Sequence, residues 1–231
     1  MVKHTGRARD RGEAGFSMIE LLIAMGLTLV VMSLASTLLV SLFNVKTRQN
    51  RRSEALADSQ RTLDLMTREV ANAGFGLLNN GIVPQDSDAN SIRIRANLNA
   101  NSVASDLNED VKYALVAGDG DGTYLVRSDI NGDTSVVAPV DALNIRYFRE
   151  RVTYTATPNN CNVANAAPAN VGAPAVANEV AGNEGVARYV VISMCVQLPE
   201  VGTPDGSGYQ PPTVLQLVSD ASLRNGNLLK Y

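Results

Sequence analysis

A segment of bilayer length with one carboxylate at its start dominates this sequence. Residues 21–40 contain no Asp, Glu, Lys or Arg, and the uncharged apolar run continues to Phe43. At ~1.5 Å per residue, a helix over residues 21–40 spans roughly 30 Å, the thickness of a bilayer hydrocarbon core. Glu20 stands directly before this run. Because an ionised carboxylate within a bilayer costs about 2.5–3.5 kcal/mol, we expect a partner to neutralise Glu20.

A short basic leader precedes the run. Its basic side chains are Lys3, His4, Arg7, Arg9 and Arg11. A secretory signal peptide is cleaved after its apolar core, whereas the small-residue junction here, Ala14-Gly15, comes before it. Cleavage at that junction would keep the hydrophobic helix in the mature protein. A second basic group follows the run: Lys46, Arg48, Arg51 and Arg52. With both flanks basic, the positive-inside rule does not decide the orientation.

The residues at the junction carry a family resemblance. Residues 15–20, Gly-Phe-Ser-Met-Ile-Glu, resemble the type III signal of type IV pilins and of type II secretion pseudopilins. The resemblance implies that a prepilin peptidase cleaves between Gly15 and Phe16, and that the new N-terminal Phe16 is N-methylated. Glu20 then becomes the fifth residue of the mature chain.

Two further stretches resemble the PilW group of minor pilins. Residues 68–75, Arg-Glu-Val-Ala-Asn-Ala-Gly-Phe, are similar to that group's helix end, and residues 221–225 are similar to its C-terminal ending. The resemblance implies a minor pilin near the tip of a type IV pilus that helps to start assembly. The implied partners are prepilin peptidase, other minor and major pilins, and a tip adhesin. The implied location is the inner membrane, with the C-terminal domain in the periplasm, and later the extracellular fibre.

The predicted cleavage also supplies a partner for Glu20. It would free an α-amine on Phe16, four residues or roughly 6 Å away along a helix. The amine is a cation and the carboxylate an anion, so neighbouring subunits can neutralise each other. The alternative is that Glu20 lies at the membrane surface among lipid headgroups.

The helix is predicted to continue beyond the membrane. Residues 46–70 contain no Gly or Pro, and Leu56, Leu63, Met66, Val70 and Ala73 form one apolar stripe at helical spacing. Gly74 and Gly76 end the pattern. We expect a leader over residues 1–15, a membrane or fibre-core half over 16–43 and an amphipathic half over 44–78. One helix of about 58 residues follows; the alternative is a membrane anchor joined to a separate coiled coil.

Residues 79–231 are predicted to form a β domain, which the family resemblance and the cysteines place in the periplasm. Alternating patterns indicate strands at residues 91–96, 111–117, 123–130, 134–140, 142–154, 186–198 and 213–223. Asn131-Gly132 is a strong hairpin signal. Residues 155–184 and 200–212 are rich in Pro, Gly, Asn and Ala and read as long loops. The predicted fold class is α+β, a pilin fold with a long N-terminal helix packed on an antiparallel sheet.

The chemistry-bearing residue types argue against an enzyme. The only histidine, His4, lies in the leader, which removes Ser-His and Cys-His nucleophilic pairs and His-based metal sites from the mature chain. The sequence contains no P-loop and no dinucleotide fingerprint. The net charge of −3 gives no reason to expect a nucleic-acid partner.

The two cysteines, Cys161 and Cys195, are expected to form one disulfide if the domain is exported. It would close a loop of about 35 residues and stabilise the fold by a few kcal/mol. The alternative is two unconnected thiols, because one lies in a predicted loop and the other in a predicted strand.

Two turns carry oxygen ligands at alternate positions, as calcium loops do. The candidate calcium ligands are Asp119, Asp121, Asp129, Asn131 and Asp133. The second turn departs from an EF-hand loop at its twelfth position, where Val140 stands and the carboxylate of Asp141 comes one place late. The alternative is that both are ordinary hairpin turns, which favour Asn, Asp and Gly. No other cofactor is expected.

Three functions therefore stand as hypotheses. The first is a PilW-like minor pilin. The second is a J-type pseudopilin of type II secretion, which would share the long helix and an enlarged sheet domain. The third, of another class, is a signal-anchored periplasmic binding or sensor domain that never assembles.

Overall fold

The computed structural model describes residues 16–101, 106, 108–118, 122–132, 134–155, 161, 170–171, 177–180, 182–198, 200–206 and 209–225. One helix, α1 (Met18–Ala71), precedes all the strands. The strands are β1 (Ser91–Arg95), β2 (Asp110–Ala117), β3 (Thr123–Asp129), β4 (Thr134–Pro139), β5 (Ala142–Phe148), β6 (Tyr154–Thr155), β7 (Asn170–Val171), β8 (Tyr189–Leu198) and β9 (Thr213–Ser222). Short 3₁₀ turns lie at Pro84–Asp86 and Glu184–Val186.

Helix α1 is continuous over 54 residues, which confirms a single long helix rather than an anchor joined to a separate coiled coil. It begins after Ser17, whose backbone is extended (φ −71°, ψ 141°). It ends at Ala71, shortly before Gly74 and Gly76, where the sequence predicts its end. The chain makes a tight turn directly after it. Gly74 has a φ of +76° and donates its N–H to Arg95 O at 2.8 Å. A Cβ at Gly81 would collide with the Gly74 nitrogen, so this close approach requires glycine.

The strands form two main antiparallel sheets where the sequence predicted one. One sheet has the order β1-β2-β3-β4, the other has the order β5-β8-β9, and β6 and β7 form a separate two-stranded ribbon. The division falls just after β4, which ends at Pro139. Two residues later, the Asp141 N–H donates to Cys195 O at 2.8 Å. That bond directs the chain to β8 instead of back along β3. The α+β fold class, with a long helix packed on antiparallel sheets, is confirmed.

The apolar stripe of α1 packs against both sheets. Leu63, Met66, Val70 and Ala73 are buried as predicted, while Leu56 is only half-buried. The opposing core side chains include Ile92, Ile94, Tyr113, Leu125, Ile192 and Met194. Two polar residues of α1, Ser59 and Thr62, are also buried, and the Thr62 hydroxyl donates to Asp58 O at 2.8 Å. The helix–sheet contact is therefore wider than the apolar stripe alone.

The last turn of α1 is bonded to the four-stranded sheet. The Glu69 carboxylate accepts a hydrogen bond from the Tyr113 hydroxyl (2.7 Å) and pairs with the Arg127 guanidinium (3.1 Å). Asn80, just after the helix, is buried and donates its side-chain amide to the carbonyls of Glu184 and Ala187 (both 2.9 Å). These bonds fix the end of the helix to both halves of the domain.

Strand β8 is buried on both faces. One face joins the main core below α1, and the other carries Tyr189 and Val191, which pack with Phe148 and Val152 in a second cluster. A third cluster contains Cys161 and Cys195, which form a disulfide with their Cα atoms 6.0 Å apart, as the sequence predicts. Val152, in the predicted strand over residues 142–154, and Cys161, in the predicted loop over residues 155–184, thus pack beside β8.

The second predicted loop, residues 200–212, is folded back on itself. Val201 and Gln210 exchange two backbone hydrogen bonds (3.0 and 2.9 Å), and the Tyr209 hydroxyl donates to Glu200 at 2.8 Å. We call residues 200–206 and 209–212 the β8–β9 hairpin. At Gly202, whose φ is +88°, an added Cβ would lie 3.7 Å from Asn44 Nδ2 on α1, so the hairpin lies against the helix where the globular domain begins.

Candidate assembly interface

The N-terminal half of α1 protrudes from the globular domain. Residues 16–40 are all exposed, and the most apolar stretch of the helix has no buried residue. This helix is the one helix in the described residues that is long and apolar enough to cross a membrane. An apolar surface of this size on all sides of a helix requires lipid or other protein chains to cover it.

Hydroxyl side chains within the protruding half are satisfied by the helix itself. Thr28, Ser33, Ser36 and Thr37 each donate to a carbonyl three or four residues earlier, at 2.8 Å. A hydroxyl without a partner would be costly in a dry environment. These bonds therefore make the segment compatible with a lipid bilayer and equally with the water-free centre of a helical bundle.

Phe16 and Glu20 lie at the free end of this half. Phe16 is 84% exposed, and Glu20 stands in the first turn of α1, where a carboxylate is favoured by the helix dipole. Among the described residues no ion pair includes Glu20. Because Phe16 and Ser17 precede the helix, the predicted 6 Å helical spacing does not apply to them. Gly15 lies outside the described residues.

The two stretches that resemble PilW lie next to each other. Arg224 N–H donates to Ala71 O at 3.4 Å, and the side-chain amide of Asn225 donates to Ala73 O at 3.3 Å. Leu223 is buried and donates its N–H to Arg188 O at 2.9 Å. The C-terminal stretch thus closes over the end of α1.

The calcium candidates come from two turns of the sequence. One turn precedes β3 in the chain and the other follows it. In the second turn, the Asp129 carboxylate accepts the Asn131 N–H at 3.0 Å, and Gly132 has a φ of +79°. This is the geometry of a hairpin turn. Asp119, Asp121 and Asp133 lie outside the described residues.

The described residues contain no group of three or more His, Cys, Asp or Glu side chains arranged to hold a metal ion. Their main charged cluster is on β1 and β2, where Asp110 is almost fully buried and pairs with Arg93 (2.7 Å) and Arg95 (2.8 Å). Burial raises the pKa of Asp110, but the hydrogen bonds from the two guanidinium groups outweigh burial and hold the pKa below its usual value. The cluster crosslinks neighbouring strands.

Sequence reasoning missed the contact of the β8–β9 hairpin with α1. Ser41, Asn44 and Arg48 are half-buried. Gly202 of the hairpin lies close to Asn44, and Arg48 donates to the hydroxyl of Thr213, the first residue of β9, at 3.1 Å. The hairpin is rich in Gly and Pro and shows no alternation, so only its position in the fold reveals the contact. The bonds of Glu69 to Tyr113 and Arg127 were likewise missed, because in the sequence a charged residue beside the apolar stripe cannot be distinguished from a solvent-exposed one.

A comparison with protein-family models finds the prokaryotic N-terminal methylation motif at residues 10–36. Searches of curated proteins and of solved structures gave no significant match. The matched residues include Gly15, Phe16 and Glu20 and more than half of the protruding helix. The motif implies processing by prepilin peptidase and assembly with other pilins, and the exposed apolar helix fits membrane anchoring and pilus assembly. These findings support a type IV pilin-like or pseudopilin subunit, which is a structural protein and not an enzyme.

Proposed function

We propose that this chain is a PilW-like minor pilin, which helps to start assembly of a type IV pilus and lies near its tip. The observation that carries the proposal is the exposed apolar half of α1, which follows directly on the methylation motif. The helix serves twice in this proposal. It first anchors the subunit in the inner membrane and then joins the centre of the fibre, and because both environments are dry, the transfer between them costs little.

The assignment to the PilW group draws support from residues 68–75 and 221–225. These two stretches are far apart in the sequence, yet they are joined by the bonds from Arg224 to Ala71 and from Asn225 to Ala73. Because the two stretches meet in one structural element, a single shared feature can account for both similarities to the PilW group. In this proposal the partners are other minor pilins, the major pilin and a tip adhesin.

The site assignments of the proposal follow the motif. Residues 1–15 are the leader, Gly15 and Phe16 flank the cleavage point, and the Phe16 amine is methylated. Glu20 pairs with the N-terminal amine of a neighbouring subunit. The domain after the helix faces the periplasm, and the disulfide between Cys161 and Cys195 supports an oxidising compartment.

The J-type pseudopilin shares the N-terminal motif and is the closest alternative. A signal-anchored sensor domain is the alternative of another class, and it would keep residues 1–15. We expect mass spectrometry of fibres sheared from the native host to detect this chain beginning at N-methylated Phe16. In the same host without its prepilin peptidase, the chain should begin at Met1 and be absent from fibres.

Two results would contradict the proposal. A processed chain that is absent from pili but required for secretion of extracellular enzymes would favour the pseudopilin. A chain that keeps its leader while the peptidase is active would favour the plain anchor.

A further inference from the structure

Four cations follow the protruding half of α1 within two helical turns. Lys46, Arg51 and Arg52 are exposed, and Arg48 is half-buried. None of the four belongs to an ion pair between described residues, although the chain has more acidic than basic residues. Arg48 donates one hydrogen bond to Thr213. We call these four residues the cationic collar.

The collar occupies two opposite sides of the helix, with Lys46 on one side and Arg48, Arg51 and Arg52 within an arc of about 100° on the other. At 100° per residue, Arg48, Arg51 and Arg52 lie about 200°, 140° and 240° around the axis from Lys46. A protein partner would contact one side of the helix. A bilayer surface encloses the helix, and its headgroups can reach cations in all of these directions.

The collar also lies at the height of the headgroups when the apolar half is in a membrane. Lys46 is three residues, about 4.5 Å, beyond Phe43, and Arg52 is nine residues, about 13 Å, beyond it. Helical side chains point toward the N-terminus of their helix, which is here the membrane. The long stems of Lys and Arg therefore bring their charged ends down toward the phosphates.

One cleft beside the collar suits an anionic headgroup. It has a volume of about 480 Å³ and lies between Arg52 and the base of β8 and β9, with Leu198, Val214 and Leu215 among its walls. Arg52 is the charged residue among its described lining residues. The cleft beside Arg51 is different, because Glu54, Asp58 and Asp141 line it and would repel an anion.

We propose that the cationic collar binds the headgroup phosphates of anionic phospholipids and that the Arg52 cleft receives one of these headgroups. This inference rests only on the membrane anchoring within the proposed function and not on entry into a fibre. A cation near an anionic membrane contributes about 1 kcal/mol, so each one raises the preference for anionic over neutral lipid about fivefold. The collar would thereby hold the globular domain against the bilayer before extraction.

The test uses the full chain in nanodiscs with equal amounts of phosphatidylglycerol and phosphatidylcholine. Lipids that stay bound after release are counted by native mass spectrometry. The wild type should retain phosphatidylglycerol preferentially, and the K46Q/R51Q/R52Q variant should lose this preference about fivefold per removed cation. Arg48 is kept because its bond to Thr213 supports the fold.

A matched control is the R61Q/R68Q variant, which removes exposed cations of the same helix farther from the membrane. Arg61 is about 13 Å beyond Arg52, more than a Debye length at physiological salt, so this variant should behave as wild type. The K46R/R51K/R52K variant keeps the charges and should also keep the preference. Equal retention of both lipids by the wild type, or equal losses in R61Q/R68Q and K46Q/R51Q/R52Q, would overturn the proposal. If the lipid preference holds but the chain never enters a fibre, only the pilin function fails.

Discussion

At the residue scale, Glu20 is the side chain for which we propose a partner in a neighbouring subunit. It is exposed in the first turn of α1, and within the described part of the protein it has no cationic partner. In the proposed function, the N-terminal amine of a neighbouring subunit neutralises its charge in a dry environment.

We expect the Glu20→Ala variant to insert into the membrane normally, because removing a charge does not oppose insertion. Its incorporation into fibres should fall about tenfold or more, since losing 1.4 kcal/mol of pairing free energy already costs a factor of ten. Membrane fractionation and quantification in sheared fibres measure the two effects. Glu54→Ala, at another exposed acidic position of the same helix, is the control and should incorporate normally. Normal incorporation of the Glu20→Ala variant would rule out the pairing.

Asp110 is a group for which the structure predicts a pH-dependent contribution to the free energy of unfolding. Its pKa in the folded protein lies below its ordinary value, so its contribution to stability is present above about pH 4, the unfolded value. That contribution is lost as the pH falls through the folded pKa. We expect the free energy of unfolding to drop below pH 4.

The Asp110→Asn variant should flatten this drop and cost about 1–3 kcal/mol at pH 7, because it weakens charge-assisted bonds to Arg93 and Arg95. Chemical unfolding measured from pH 7 to pH 2 checks both effects. Asp64→Asn, at an exposed residue without an ion pair among the described residues, should change neither. An Asp110→Asn variant with the full acid dependence of the wild type would contradict the assignment.

At the element scale, the sequence predicted the strands well and their partners poorly. Seven predicted strands correspond to β1–β5, β8 and β9, because alternation is a local property of the chain. The split into two sheets depends on which strand the chain pairs with after Asp141, and alternation does not encode that choice. Strand β8 also lacks clean alternation, since both of its faces are buried.

The disulfide links Cys161, which lies between β6 and β7 in the chain, to Cys195 in β8. With a sequence separation of 34 residues, the loop-entropy relation gives about 3–4 kcal/mol of stabilisation. We expect the Cys161→Ser variant to unfold at a lower temperature than the wild type and to be insensitive to reductant. The wild type should lose a similar amount of stability on reduction. Thermal unfolding with and without reductant, beside non-reducing gels, measures this, and a reductant effect that persists in Cys161→Ser would contradict it.

At the scale of the whole molecule, the predictable part of the site is the part that is contiguous in sequence. The N-terminal motif is visible without a structure because its parts are adjacent in the sequence: the junction at Gly15 and Phe16, then Glu20, then the apolar run. The contact of the β8–β9 hairpin with Asn44 joins distant segments, and no local sequence pattern predicts it. The contact between residues 68–75 and residues 221–225 is also between distant segments, so only the structure shows it.

The protein consists of a globular domain and a helix half that contributes nothing to the domain's core. Residues 16–40 are exposed throughout, whereas Ser41, Asn44 and Arg48 are half-buried against the domain. A fragment beginning at Ser41 therefore keeps every described contact of the hairpin with α1. We expect it to fold without detergent, with an unfolding free energy within about 1 kcal/mol of the full chain, as is usual when no buried contact is removed.

A fragment beginning at Ser53 is the matched comparison. It lacks Asn44, which lies beside the hairpin, and the bond from Arg48 to Thr213 at the start of β9. The hairpin and the strand that follows it therefore lose contacts with the helix. We expect it to unfold about 2–4 °C below the fragment that begins at Ser41, because a loss of about 1 kcal/mol shifts the midpoint by that amount in a domain of 150–250 residues. Circular dichroism during heating measures both midpoints. The Ser41 fragment could instead be unfolded while the full chain in detergent is folded. In that case the apolar half stabilises the domain directly, and the conclusion that it contributes nothing to the domain's core is wrong.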